Sequence, residues 1–185
     1  MNVLNMLNTK YIIAEDESQK PYAYVNEAAN GNAWFIEAMQ KVGSANDEML
    51  ALDKIDNKKL AVYTSERTLK PINKLDSLAS IKVVEYTPNY IKYNAYNNND
   101  GFAVFSEIYY NNGWKAFIDG QSAPIERVNY VLRGLEIPKG KHTIEFKFEP
   151  EVVKTGSAIS LASSAVLLLL LIGGVFYEFK NKKVE

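Results

Sequence analysis

"AISLASSAVLLLLLIGGVFY", from Ala158 to Tyr177, runs twenty residues without a charged side chain. A helix of that length crosses the ~30 Å hydrocarbon core of a bilayer. Its five consecutive leucines leave no polar stripe, so a soluble fold would have to enclose the helix on every side. The run is therefore predicted to be a transmembrane helix. Gly173 and Gly174 are compatible with that environment, although adjacent glycines lack the three-residue gap of a small-xxx-small contact face.

The flanks orient the helix. Lys180, Lys182 and Lys183 follow it closely, whereas the nearest preceding cations are Lys154 and Lys147. The denser basic cluster is expected on the cytoplasmic side, which leaves residues 1 to about 155 outside. An exported body needs an export signal, and "MNVLNMLNTKYIIAEDE" has no basic n-region, no unbroken apolar core and no small-residue cleavage site. The expectation is that membrane segments lie upstream and that Met1 is an internal methionine of a longer protein.

The rest of the chain is globular in composition, with 47% hydrophobic and 23% charged residues. A net charge of -1 provides no basic field for nucleic acid. No cysteine is present, which excludes disulfides, thiolate metal sites and a cysteine nucleophile. No phosphate loop, nucleophile elbow or metal-ligand spacing occurs. Neither a catalytic residue nor a cofactor or metal is expected.

Two parts precede the helix. Residues 1–80 read as a mixed α/β extracytoplasmic segment. A helical turn leads into a short strand ending in "YII", "AEDESQKP" is a charged loop, and "YAYVNEA" and "KLAVYTSE" are strands. Ser44 is placed to cap a helix over about 45–54, with Asp47 and Glu48 in its first turn. Residues 81–150 read as an antiparallel β-sandwich of jelly-roll or immunoglobulin-like type. Its strands are "IKVVEYT", "YIKYNAY", "GFAVFSEIYY", "GWKAFID", "APIERVNYVLRGLEI" broken at Gly134, and "KHTIEFKFEP". Asp119-Gly120 marks a tight hairpin, and "PKGK" a turn. The helix at 158–177 and a cytoplasmic tail at 178–185 complete the plan. The fold class is thus mainly β with some α.

In the last strand His142, Ile144, Phe146 and Phe148 share a face. His142, the only histidine, is expected buried there as a neutral, hydrogen-bonded side chain. Glu107 interrupts an apolar run and shares a face with Phe105 and Tyr109. Arg127 and Arg133 are its candidate ion partners. Trp114, Ala116 and Ile118 alternate to one face, which makes Trp114 a core anchor. Tyr109 and Tyr110 are neighbours and cannot both point inward, so one of them is available at the surface to stack on a sugar or sit at a membrane interface.

"FSEIYYNNGWKAFIDG", then "IERVNYVLRGLEIPKGKHTIEFKFEP", then an apolar helix, resembles the C-terminal end of YfhO-like bacterial membrane proteins. "LNMLNTKYII" and "GNAWFI" resemble the part just after their multi-helix region. The resemblance implies a polytopic protein similar to the GT-C class of glycosyltransferases, which use lipid-linked sugars outside the cytoplasmic membrane. The catalytic acidic residue of that class sits in an early external loop, and no such region exists in this chain. The resemblance therefore implies a non-catalytic accessory domain that covers an external active site or holds an acceptor glycan. Glu107, Tyr109, Tyr110, Asn129 and Arg133 are the candidate glycan contacts. The implied partners are the lipid bilayer, the upstream membrane region, and a glycan or lipid-linked sugar. The alternative is a single-pass, membrane-anchored carbohydrate-binding or adhesion module without enzymatic activity.

Overall fold

Short apolar–polar alternations punctuated by Asn, Asp and Gly produce strands joined by tight turns. The computed structural model describes residues 1–67, 69 and 77–181, and thirteen strands and three helices lie among them. Of the predicted tail 178–185, residues 182–185 fall outside the described residues, and residues 178–181 continue the last helix. The chain divides into two units, Met1–Phe148 and Glu149–Glu185.

The first unit opens with α1 (Asn2–Met6), followed by the hairpin β1 (Tyr11–Glu15) and β2 (Pro21–Val25). Asp16 closes that hairpin by accepting from the Ser18 and Lys20 amides at 2.8 and 2.9 Å. Next come β3 (Ala33–Phe35), β4 (Ala38–Lys41), α2 (Ala45–Leu52) and β5 (Leu60–Tyr63). Ser44 caps α2 as its sequence predicts, its Oγ accepting from the Asp47 amide at 3.2 Å. Strands β4 and β5 pair in parallel, which requires a crossover, and α2 supplies it.

The sandwich contains β6 (Ser80–Thr87), β7 (Tyr90–Asn97), β8 (Gly101–Ile108), β9 (Trp114–Ile118), β10 (Gln121–Ala123), β11 (Glu126–Val128), β12 (Leu132–Ile137) and β13 (Gly140–Phe148). One sheet has the order β10-β9-β13-β7-β6, and the other β11-β12-β8-β3. The segment before residue 80 therefore contributes a strand to the second sheet.

That second sheet is covered on both faces. Ala103, Phe105, Leu135 and Ile137 pack toward Ile91, Tyr93, Ile144 and Phe146 of the five-stranded sheet. Phe102, Val104, Val128 and Leu132, with Trp34 of β3, pack toward Met6, Leu52 and Val62. Burial on both faces is why "FAVF" in β8 is apolar without alternation.

Two expectations are corrected. The break predicted at Gly134 falls instead at Asn129-Tyr130, whose φ of 49° and 71° form the tight turn between β11 and β12. Gly134 lies within β12, where a Cβ would run into the Phe102 ring. The second correction concerns His142. It lies beside the Asp119-Gly120 turn, with Nδ1 2.6 Å from Asp119 Oδ2 and Nε2 3.1 Å from the Lys139 carbonyl. Both ring nitrogens face acceptors, which suits the charged imidazolium rather than the neutral ring. The Asp119 hydrogen bond raises the His142 pKa and lowers that of Asp119.

The second unit carries α3 (Glu151–Asn181). Its segment Glu151–Glu178 is long and apolar enough to cross a membrane. The leucines from Leu167 to Leu171 are each more than half exposed, a surface that only lipid or protein can cover. Within the run the Ser163 hydroxyl donates back to the Ile159 carbonyl at 2.9 Å, so it needs no water.

Candidate functional site

The "YYNNG" connection between β8 and β9 builds one wall of a cleft. Gly113 adopts a φ of 152°, and a Cβ there would stand 2.5 Å from the Phe148 ring. Glycine thus lets the chain close over Phe148, whose ring lies 6.4 Å from Tyr110 and 5.3 Å from Trp114. The cleft holds about 180 Å³ and is lined by Tyr109, Tyr110, Asn111, Trp114, Lys115 and Ser122, among others. It offers aromatic faces, an amide, a hydroxyl and a cation, and no carboxylate among the described residues. Such a set can stack and hydrogen-bond a sugar ring, yet it has no acid–base pair for glycosidic chemistry. Among the described residues, no group of three or more His, Asp or Glu could hold a metal ion.

Of the five sequence-predicted contacts, the structure brings two into this cleft. Tyr110 is 52% exposed and Tyr109 half-buried, so one tyrosine reaches the surface as expected, although both lie just beyond β8 rather than within a strand. Glu107 lies outside the cleft lining, in the strip between the sheets. Burial raises its pKa, while the Tyr86 hydroxyl and the Arg133 charge oppose that rise. Of its two candidate partners, Arg133 supplies the facing charge. Arg127 instead bonds Glu48 at 3.0 Å and the Thr64 hydroxyl at 2.8 Å.

Asn129 and Arg133 are enclosed. Asn129 is fully buried, accepts from the Val62 amide at 3.0 Å through Oδ1, and donates its backbone N–H to the Val62 carbonyl at 2.8 Å. It ties the β11–β12 turn to β5 and has no open face for a glycan. Arg133 is 3% exposed. Its Nε donates to the Ile108 carbonyl at 3.0 Å, and its guanidinium lies 4.1 Å from the Trp114 ring centroid and 5.3 Å from that of Phe146. Burial lowers its pKa, partly offset by Glu107.

Asn111, Lys115 and Ser122 line the cleft without having been singled out from the sequence. Asn111 lay in plain view as turn chemistry. Ser122 is reached only because β10 folds back on β9, pairing it with Phe117. A second, shallower depression of about 700 Å³ lies at the five-stranded sheet, lined by residues that include Lys82, Asn94, Tyr96, Lys141 and Thr143. The register sets Lys82, Asn94 and Thr143 side by side across β6, β7 and β13. Polar alternation in those strands was the available signal.

A β-sandwich unit joined to an apolar helix long enough to cross a bilayer defines a membrane protein. The family model described as "Bacterial membrane protein YfhO" matches residues 49–160, more than half of the chain, and the chain belongs to that family. No curated protein matches the chain, and no solved structure does.

Proposed function

We propose that this chain is the extracytoplasmic accessory part of a polytopic membrane glycosyltransferase of the GT-C type, inactive by itself. In this reading it holds a cell-surface glycan for transfer from a lipid-linked sugar bound by an upstream membrane region. The body stands outside the cytoplasmic membrane and the C-terminus inside, as the basic cluster at Lys180, Lys182 and Lys183 favours. The observation that carries the reading is the cleft of Tyr109, Tyr110, Asn111 and Trp114, which has binding groups but no carboxylate among the described residues, in a chain of a membrane-protein family. Its volume lies below the ~300 Å³ at which pockets for larger ligands begin, so it suits one ring of a chain.

Replacing Tyr110 with Ala in the complete enzyme tests the role. The expected result is a rise in acceptor KM of about three- to tenfold, the worth of one stacked aromatic, with an unchanged melting temperature. Wild-type turnover and KM in a folded variant would sink the glycan role of Tyr110.

The same cleft serves the second reading, an anchored carbohydrate-binding module without an enzyme, because binding needs no catalytic group. An antibody against residues 82–150, applied to native membranes, separates the two. A band several times larger than 20.9 kDa supports the enzyme part, and a band at 20.9 kDa the anchored module.

A further inference from the structure

Trp114 and Arg133 form a pair that burial alone does not explain. Arg133 keeps a charge 3% exposed between two sheets, and its Nη1 has no hydrogen-bond partner among the described residues. A buried ion is costly to desolvate, and an apolar side chain of similar volume commonly packs as well or better. What only the guanidinium supplies is a flat, charged surface held by its own donors. Its Nε is anchored on the Ile108 carbonyl, at the end of β8, and Glu107 of the same strand provides the opposite charge. Tyr86 of β6 also acts on Glu107, opposing the rise in its pKa. Electrostatic links thus run from β6 through β8 to Arg133 of β12, which lies on the indole of β9. The register shift between Leu132 and Arg133, where β12 pairs with β8, sits at this point.

Trp114 also lines the cleft. Its ring is held by Arg133 at 4.1 Å and flanked by Phe148 at 5.3 Å. Tyr110, by contrast, is 52% exposed and touches Phe148 only at 6.4 Å. A ring already fixed loses little freedom when a ligand stacks on it, and Trp presents the largest aromatic face. We infer that Trp114 is the surface on which a pyranose ring stacks in the cleft, and that Arg133 is the positioning residue that fixes the indole for it. This rests on the glycan-holding reading above and names the side chain that performs it. Arg133, expected from the sequence to touch the glycan, acts through Trp114 instead.

The test uses the full chain in detergent micelles, with cellohexaose, maltohexaose and chitohexaose as probes. Binding is measured by equilibrium dialysis and by tryptophan emission. Trp34 is 6% exposed and donates to the Asn57 carbonyl at 3.1 Å, so the responsive signal belongs to Trp114. The expected result is that at least one hexasaccharide binds and shifts the emission. Trp114→Phe should lose the emission shift, and Trp114→Ala should weaken binding about tenfold. Arg133→Lys, which keeps the charge but not the plane, should weaken binding about fivefold and lower the Trp114 emission anisotropy. If a folded Trp114→Ala binds like wild type, the inference is overturned while the glycan-holding reading stands. If Trp114→Ala does not fold, Trp114→Phe decides: an emission shift that survives in it overturns the assignment to Trp114. Unchanged affinity and anisotropy in Arg133→Lys overturn the positioning role. No binding of any probe to wild type overturns both the inference and the glycan-holding reading beneath it.

Discussion

The sheet β11-β12-β8-β3 is covered on both faces, and the two covers are built differently. Toward the five-stranded sheet the contact is aromatic. Phe105 meets Tyr93 edge-on at 5.0 Å and Phe146 at 4.9 Å, geometries that suit the ring quadrupoles. Polar groups enter mainly at one end, as Glu107 and Arg133. Toward the N-terminal elements the contact is laced with polar pairs. Glu48 is fully buried against Arg127, Arg67 bridges Glu126 and Glu136, and Asn129 clasps Val62. Sheet against sheet leaves few loose backbone groups, because each ladder satisfies its own. Short helices and connecting loops leave many, and side chains must pair with them. Asn57, donating to the Asn2 carbonyl while its own carbonyl accepts from Trp34, is a second example.

The comparison predicts where the molecule is most fragile. Phe105→Ala should destabilise the Met1–Phe148 unit by about 3–5 kcal/mol, since the aromatic face has little with which to refill the cavity. Urea unfolding of the full chain in micelles measures this, and a loss below about 1 kcal/mol would mean that face is loosely packed.

On the polar face the expected penalty is smaller and reversible. Arg127→Ala strands Glu48 and should cost about 2–3 kcal/mol, discounted because Arg127 is 31% exposed. Adding Glu48→Gln removes the stranded charge and should recover part of the loss. A double variant no better than Arg127→Ala would show that the charge itself is not what the pair neutralises.

The smallest effect lies outside both faces. The raised pKa of His142 means its contribution is complete below its ordinary value of 6.5 and is lost as pH climbs through the folded value. The lowered pKa of Asp119 means its contribution is present above 3.8 and is lost as pH falls through the folded value. The pair is therefore most effective between those limits and fades in alkali. Asp119 is 52% exposed, so solvent screening keeps the effect to about 0.5 kcal/mol. Melting temperatures of wild type and Asp119→Asn should differ at pH 5.5 and converge toward pH 9. A gap that widens with pH would reverse the assignment.

Much of the fold was legible because its signals are local. Ser44 capped the helix it was expected to cap, and the Asp119-Gly120 hairpin formed with φ of 50° and 81°. The apolar run became a helix with no polar face. The turn at Asn129-Tyr130 escaped notice because a tyrosine in the left-handed region is uncommon, and Gly134 looked like the cheaper place to break. The site was legible only in its tyrosines. Asn129 and Arg133 are polar residues near turns, and polarity alone cannot tell an exposed contact from a satisfied interior one.

The sequence by itself determined the class of molecule: a β-rich body, turn positions, and a helix suited to lipid. Periodicity, turn stereochemistry and apolar length act within a few residues of one another, so they need no tertiary information. The tertiary structure alone decided which polar residues are enclosed, that β3 joins the sandwich, and that Arg133 lies on Trp114. Those outcomes depend on pairings between residues far apart in the chain, where register and layer order choose the neighbours.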